Sequence, residues 1–142
     1  TGGHLIAKKE PRFGDVFKAP AGLPGQETMF TVTYDEGVNR RQVSLCRLVE
    51  MMCEKPAKIF GIFPRKGVLQ PGADGDVLIF DPMKQHTITA ANQHVNTDYT
   101  MYENRTVLGA PEIVIQRGEI LLQDGELKAR KGRAQFLKAD PA

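Results

Sequence analysis

Residues 66–82, KGVLQPGADGDVLIFDP, decide how the rest of the chain is read. Val68 and Leu69 precede Pro71-Gly72, a pair that favours a turn because proline presets φ and glycine accepts φ > 0. Val77-Leu78-Ile79-Phe80 then form an apolar run between Asp76 and Asp81-Pro82. Four consecutive apolar residues with such flanks predict a strand covered on both faces. The stretch reads as a strand over 67–69, a tight turn, and a second strand over 76–80.

Working outward, 142 residues with 41% hydrophobic and 25% charged content fit one soluble domain with room for a core. A net charge of +2, with Lys and Arg spread along the chain, leaves no nucleic-acid footprint. No run approaches the ~18 apolar residues that span a bilayer. The residues after Thr1 also lack a basic-then-apolar leader. Neither a nucleic acid nor a membrane is expected as a partner. Cys46 and Cys53 fall on one expected helix about 10 Å apart, too far for a bridge within it. Both are expected as reduced core thiols, and a cytoplasmic location follows.

Residues 1–25 hold eight Gly and Pro residues, from Gly2 and Gly3 to Pro24 and Gly25, and predict an irregular lead-in. Residues 26–37 read as a helix stopped by Gly37. Ser44 is a good N-cap for a clearer helix carrying Leu45, Leu48, Val49 and Met52 at helical spacing. Pro56 can open a third helix ending at Gly61, with Ala57, Ile59 and Phe60 packed inward. Further strands are expected over 86–90, 112–117, 119–123 and 126–129. Arg117-Gly118-Glu119 and Asp124-Gly125-Glu126 supply hairpin turns. Residues 92–109 are left as a connector.

Together with residues 56–66, PAKIFGIFPRK, the opening stretch resembles metal-dependent cyclic amidohydrolases of the dihydropyrimidinase and D-hydantoinase branch. The shared pattern is Lys-Gly, an apolar pair, Pro-Gly, acidic residues, an apolar strand and Asp-Pro. Gly75 departs from it, standing where alanine is usual. Asp98-Tyr99 and Tyr102-Glu103 match a second family pattern, with Asn104 where glycine is usual. Residues 132–138 resemble the closing segment. The resemblance implies an α+β chain: the C-terminal end of a (β/α)8-barrel amidohydrolase, its loop and two or three helices over 1–64, then a small β-rich, sandwich-like domain over 65–142. It also implies that the rest of the barrel lies in a longer parent or a companion chain. A homo-oligomer is expected.

The family reaction, hydrolysis of a cyclic amide, needs a metal-activated hydroxide, a carboxylate to move the proton and donors for the oxyanion. The resemblance implies binuclear zinc for a full-length relative, with its His-x-His pair, carboxylated lysine, further histidines and aspartate all in the barrel. His4, His86 and His94 form no metal motif and are expected to be structural. The family aspartate beside the His4 position is either replaced by Gly3 or lies before Thr1. No catalytic residue, metal ligand or cofactor is therefore assigned to this chain. Residues 19–22, APAG, resemble a Pro-Asn-Gly segment whose backbone contacts the substrate ring. Ala21 and Gly22 are the candidate substrate contacts, because any residue supplies a backbone donor and acceptor. Ser44 is better read as a cap than a nucleophile, and residues 72–75 are too acidic to cradle phosphate. The alternative is a free-standing, non-catalytic module that uses exposed apolar helix faces for protein–protein contacts.

Overall fold

A computed structural model describes Leu5, Phe17 and residues 20–139. Helix α1 spans Met29–Tyr34 and continues as a π-helical turn over Asp35–Arg40. Helix α2, Leu45–Val49, continues through a π turn at Glu50–Glu54 into α3, Lys55–Ile59. Four antiparallel strands follow: β1 Val77–Ile88, β2 Arg105–Gln116, β3 Glu119–Gln123 and β4 Glu126–Leu127, in the order β1-β2-β3-β4. Helices first and one antiparallel sheet after them make an α+β chain.

The helices start and run on for identifiable reasons. Ser44 is extended and its hydroxyl accepts the Arg47 N–H at 3.2 Å, the expected cap. The first helix begins at Met29 rather than at 26, and Gly37 does not stop it. Bonds to β2 hold the extra turn: Asn39 Nδ2 donates to the Leu108 carbonyl at 3.0 Å, and the Leu108 N–H donates to Asp35 Oδ1 at 3.2 Å. Two such bonds outweigh the ~1 kcal/mol that glycine costs a helix. Pro56 does not open a separate helix either. It sits in the first turn of α3, directly behind the π turn that widens the backbone where its missing N–H and bulky ring fall.

That widening has a consequence for packing. A π turn carries more residues per turn, so residues beyond it lag in phase. Leu48 and Ala57 are buried, but Ile59 and Phe60 are 78% and 69% exposed, against the expectation that they pack inward. Cys46 and Cys53 are free but exposed, not core thiols. Cys46, two residues before Leu48, faces away from the buried side.

The opening stretch is corrected in part. The turn forms, closed by the Ala73 N–H on the Gln70 carbonyl at 3.1 Å. Residues 67–69 are not a strand. Gly67 has φ +86, and a Cβ there would lie 2.6 Å from the Ala57 Cβ and 2.8 Å from the Cys53 carbonyl. The chain is pressed onto the second helical segment instead of pairing. Beyond the turn, the expected strands over 76–80 and 86–90 are one strand, β1. Asp81-Pro82 is no boundary but part of a bulge between the pairs Asp81↔Ala110 and Gln85↔Leu108. A proline without an N–H is tolerated at a bulge on an edge strand. Likewise β2 begins at Arg105, inside the expected connector, and β4 is shorter than 126–129. Both hairpin turns hold, with positive φ at Arg117-Gly118 and at Asp124-Gly125.

The core sits at the far end of the β1–β2 pair. Ile88 and Val107 pack with Val32 of α1, and Tyr102 closes over them. Nearer the middle, the Phe80 ring meets Tyr34 at 4.7 Å and Phe30 at 5.2 Å, both edge-on. Gly109 permits this, since a Cβ there would stand 2.6 Å from Tyr34 Cδ1. Buried Asp35 pairs with Arg40 at 3.2 Å and Arg105 at 3.7 Å. Burial opposes its charge, but the Leu108 N–H, Asn39 and the two arginines hold the carboxyl below its ordinary range. Among the described residues, the expected cover on both faces of residues 77–80 is incomplete: Leu78 and Ile79 are 38% and 42% exposed.

Candidate functional site

Two clefts flank β1. The first, about 850 Å³, opens between the approach to α1, the His86 end of β1, residues 91–94 and the β3–β4 turn. Its polar wall is organised by Glu27. Glu27 Oε2 accepts the His94 backbone N–H at 2.7 Å, and Oε1 lies 2.7 Å from His94 Nδ1. The other ring nitrogen, Nε2, faces the Gly125 carbonyl at 3.2 Å. His86 shares the cleft with Lys84 and Asp124. Burial first, then the Lys84 charge, hold the His86 imidazole below its ordinary value, against the opposing pull of Glu27.

Residues 87–103 are held to this wall by short-range bonds. The Thr89 N–H donates to Asn92 Oδ1 at 3.1 Å, and Asn92 Nδ2 donates to the Thr87 carbonyl at 2.7 Å. Glu103, part of the second sequence pattern, accepts the Ala90 N–H at 2.8 Å. That glutamate is a backbone brace here.

The second cleft, about 680 Å³, is apolar. Leu45, Val49, Phe60, Leu69 and Leu78 line it, with Cys53 at the wall. Although Cys53 is exposed as a residue, the cleft wall partly desolvates its thiol and raises it above its ordinary value, which disfavours the thiolate a nucleophile needs. Ser44 is spent as a cap. At the edge, Lys66 bridges Asp74 at 2.8 Å and also bonds Asp76. Burial works against the Lys66 charge, yet the two carboxylates hold its ammonium above the ordinary value. Asp76 also accepts the Arg117 N–H at 2.9 Å, tying the opening stretch to the β2–β3 turn.

These side chains do not suit a metal. Both ring nitrogens of His94 already face acceptors, and among the described residues no three His, Cys, Asp or Glu side chains are grouped to hold an ion. The zinc that the resemblance implies has no fitting donor set among them. His4 and Gly3 lie outside the described residues. Ala21 and Gly22 are both exposed, on the segment leading to Glu27, and neither lines the two clefts. The Glu27–His94 pair was not legible in the sequence, because its members are 67 residues apart and match no motif.

Comparison with known proteins places this architecture. Residues 25–128 match the amidohydrolase family. The chain belongs to that family. It is similar to the L-hydantoinase of Paenarthrobacter aurescens, 42% identical over 136 residues, which are 96% of this chain and 30% of that protein. It is also similar to the D-phenylhydantoinase of Escherichia coli O1:K1, 40% identical over 90% of this chain and 28% of that protein. Among solved structures, a D-hydantoinase (dihydropyrimidinase) from Thermus sp. superposes with a TM-score of 0.91 at 33% identity, over 97% of this chain and 30% of that one. The chain thus spans under a third of the length of these relatives.

Proposed function

We propose that this chain is the C-terminal part of a metal-dependent cyclic amidohydrolase of the hydantoinase and dihydropyrimidinase type, which opens cyclic amides at a C–N bond. The observation that carries the reading is the superposition of 97% of the chain on 30% of a D-hydantoinase. A match that covers nearly all of this chain and under a third of the relative fits a piece of such an enzyme. On this reading residues 1–64 finish a barrel, residues 65–142 form most of a flanking β-rich domain, and the parent works as a soluble, cytoplasmic homo-oligomer. Binuclear zinc would be held by the remainder of the barrel or by a companion chain. No helix among the described residues is long and apolar enough to cross a membrane.

The part this chain plays is to position the ring. The backbone N–H and C=O at Ala21 and Gly22 are a donor and an acceptor that a planar amide can meet edge-on. Gly22, at φ +95, has a conformation that favours glycine. The test is ring opening of a 5-substituted hydantoin and of dihydrouracil by the full polypeptide, before and after metal chelation. Activity lost on chelation, and absent from the isolated chain, supports the reading. Ala21→Pro, which removes the N–H, is expected to raise KM by roughly tenfold, whereas Ala21→Ser leaves it near the parent value. Equal KM for the two variants would remove the loop from the site.

A further inference from the structure

His94 is held by two acceptors. Glu27 Oε1 is 2.7 Å from Nδ1, and the Gly125 carbonyl is 3.2 Å from Nε2. A carbonyl oxygen only accepts, and so does an ionised carboxylate. A neutral imidazole has one N–H and one lone pair, so either tautomer would leave a lone pair against an oxygen. Only the imidazolium donates at both positions. Glu27 meets it with one oxygen and takes the His94 backbone N–H with the other. Two charge-assisted contacts thus bind the approach to α1 to residues 93–94, and the Gly125 contact adds the β3–β4 turn.

Glu27 stands five residues after Gly22. Ala21, Gly22 and Leu23 are exposed, Pro24 is buried, and the chain returns to the surface at Gln26 and Glu27 before Thr28 is buried. Glu27 therefore fixes the base of the segment whose tip is the candidate substrate contact. We propose that His94, as an imidazolium clamped between Glu27 and the Gly125 carbonyl, is a positioning residue for residues 20–25, so that substrate binding follows its protonation. This rests on the proposed role of Ala21 and Gly22. The charged and titratable groups sharing the cleft with His94 are Glu27 itself, Lys84 and His86 on β1, and Asp124 on the β3–β4 turn.

Glu27→Gln separates this clamp from mere packing. The side-chain amide of that variant can donate to Nδ1 of neutral His94, whose Nε2–H still reaches the Gly125 carbonyl. The contact is then kept by the neutral ring and weakened by protonation, the reverse of the parent. The experiment uses the full polypeptide with a hydantoin substrate. It combines ¹⁵N NMR of the His94 ring with KM and kcat measured from pH 5.5 to 8.5 for the parent, Glu27→Gln and His94→Ala. The expected result is an imidazolium signature at the acid end, and a ratio of KM in Glu27→Gln to KM in the parent that falls roughly threefold to tenfold as pH rises, with kcat changing alike in both. Comparing the two at each pH cancels ionisations elsewhere. A neutral ring throughout, or a ratio flat with pH, overturns the proposal. Ala21→Pro distinguishes the two ideas. If it raises KM while the ratio stays flat, the loop binds substrate and His94 does not position it. If it leaves KM unmoved, the loop reading fails first.

Discussion

The two ends of β1 differ. At the Ile88 end the strand is sealed: Ile88 has no exposed surface, and Val107, Val32 and Tyr102 close around it. At the Val77 end the same strand carries Leu78 and Ile79 half-open to solvent, and Leu78 lines an apolar cleft together with the exposed Phe60. One end is a finished core, and the other is a surface with the chemistry of a core. A chain that spans under a third of its relatives is expected to show this pattern, because apolar area left uncovered costs about 25 cal/mol per Å² relative to burial.

The sharpest way to break the comparison is to truncate one residue at each end. Ile88→Ala should cost about 2–5 kcal/mol in denaturant unfolding, because it empties a closed site. Ile79→Ala should cost well under half of that in the isolated chain and approach it in the full polypeptide. Equal losses at Ile79 in both contexts would show that nothing further covers that end. Gly109→Ala tests the junction between the two ends. With φ +106 and Tyr34 and Phe80 within 2.7 Å of any Cβ, it should lose about 1–3 kcal/mol and disturb the aromatic contacts seen by near-ultraviolet circular dichroism.

A smaller effect is expected at Asp35, which bonds the first helical segment to the sealed end. Asp35→Asn should cost about 1 kcal/mol through the lost pairing with Arg40 and Arg105. The pH dependence has a definite sign. The folded carboxyl lies below its ordinary value, so its stabilisation is present above that value and fades as pH falls through the folded one. Thermal melts from pH 7 to 2 should show that acid limb reduced in the Asn variant. Ser44→Ala should be the mildest, about 0.5–1 kcal/mol from the lost cap, read by unfolding of the full polypeptide.

What the sequence made legible was local chemistry. The Ser44 cap, the Pro71-Gly72 turn and both glycine hairpins follow from side-chain and backbone preferences within four residues. The family was legible for a similar reason, since residues 56–82 carry a contiguous pattern. What was not legible depended on distant partners. Gly37 failed to stop its helix because β2 supplies bonds to Asp35 and Asn39 from about 70 residues away. Residues 67–69 failed to pair because Gly67 packs on Ala57. The π turn at Glu50–Glu54 rotated Ile59 out of a face that an even helical period would have given it. The Glu27–His94 contact belongs to the same class.

The most direct test of the central claim is native mass spectrometry of the protein taken from its source. The account predicts a polypeptide roughly three times the length of this chain, since the chain covers 30% of its relatives, carrying two zinc-like ions per subunit in an oligomer. A 15.7 kDa species without bound metal would contradict it, and would leave the exposed end of β1 as the docking face of a non-catalytic module.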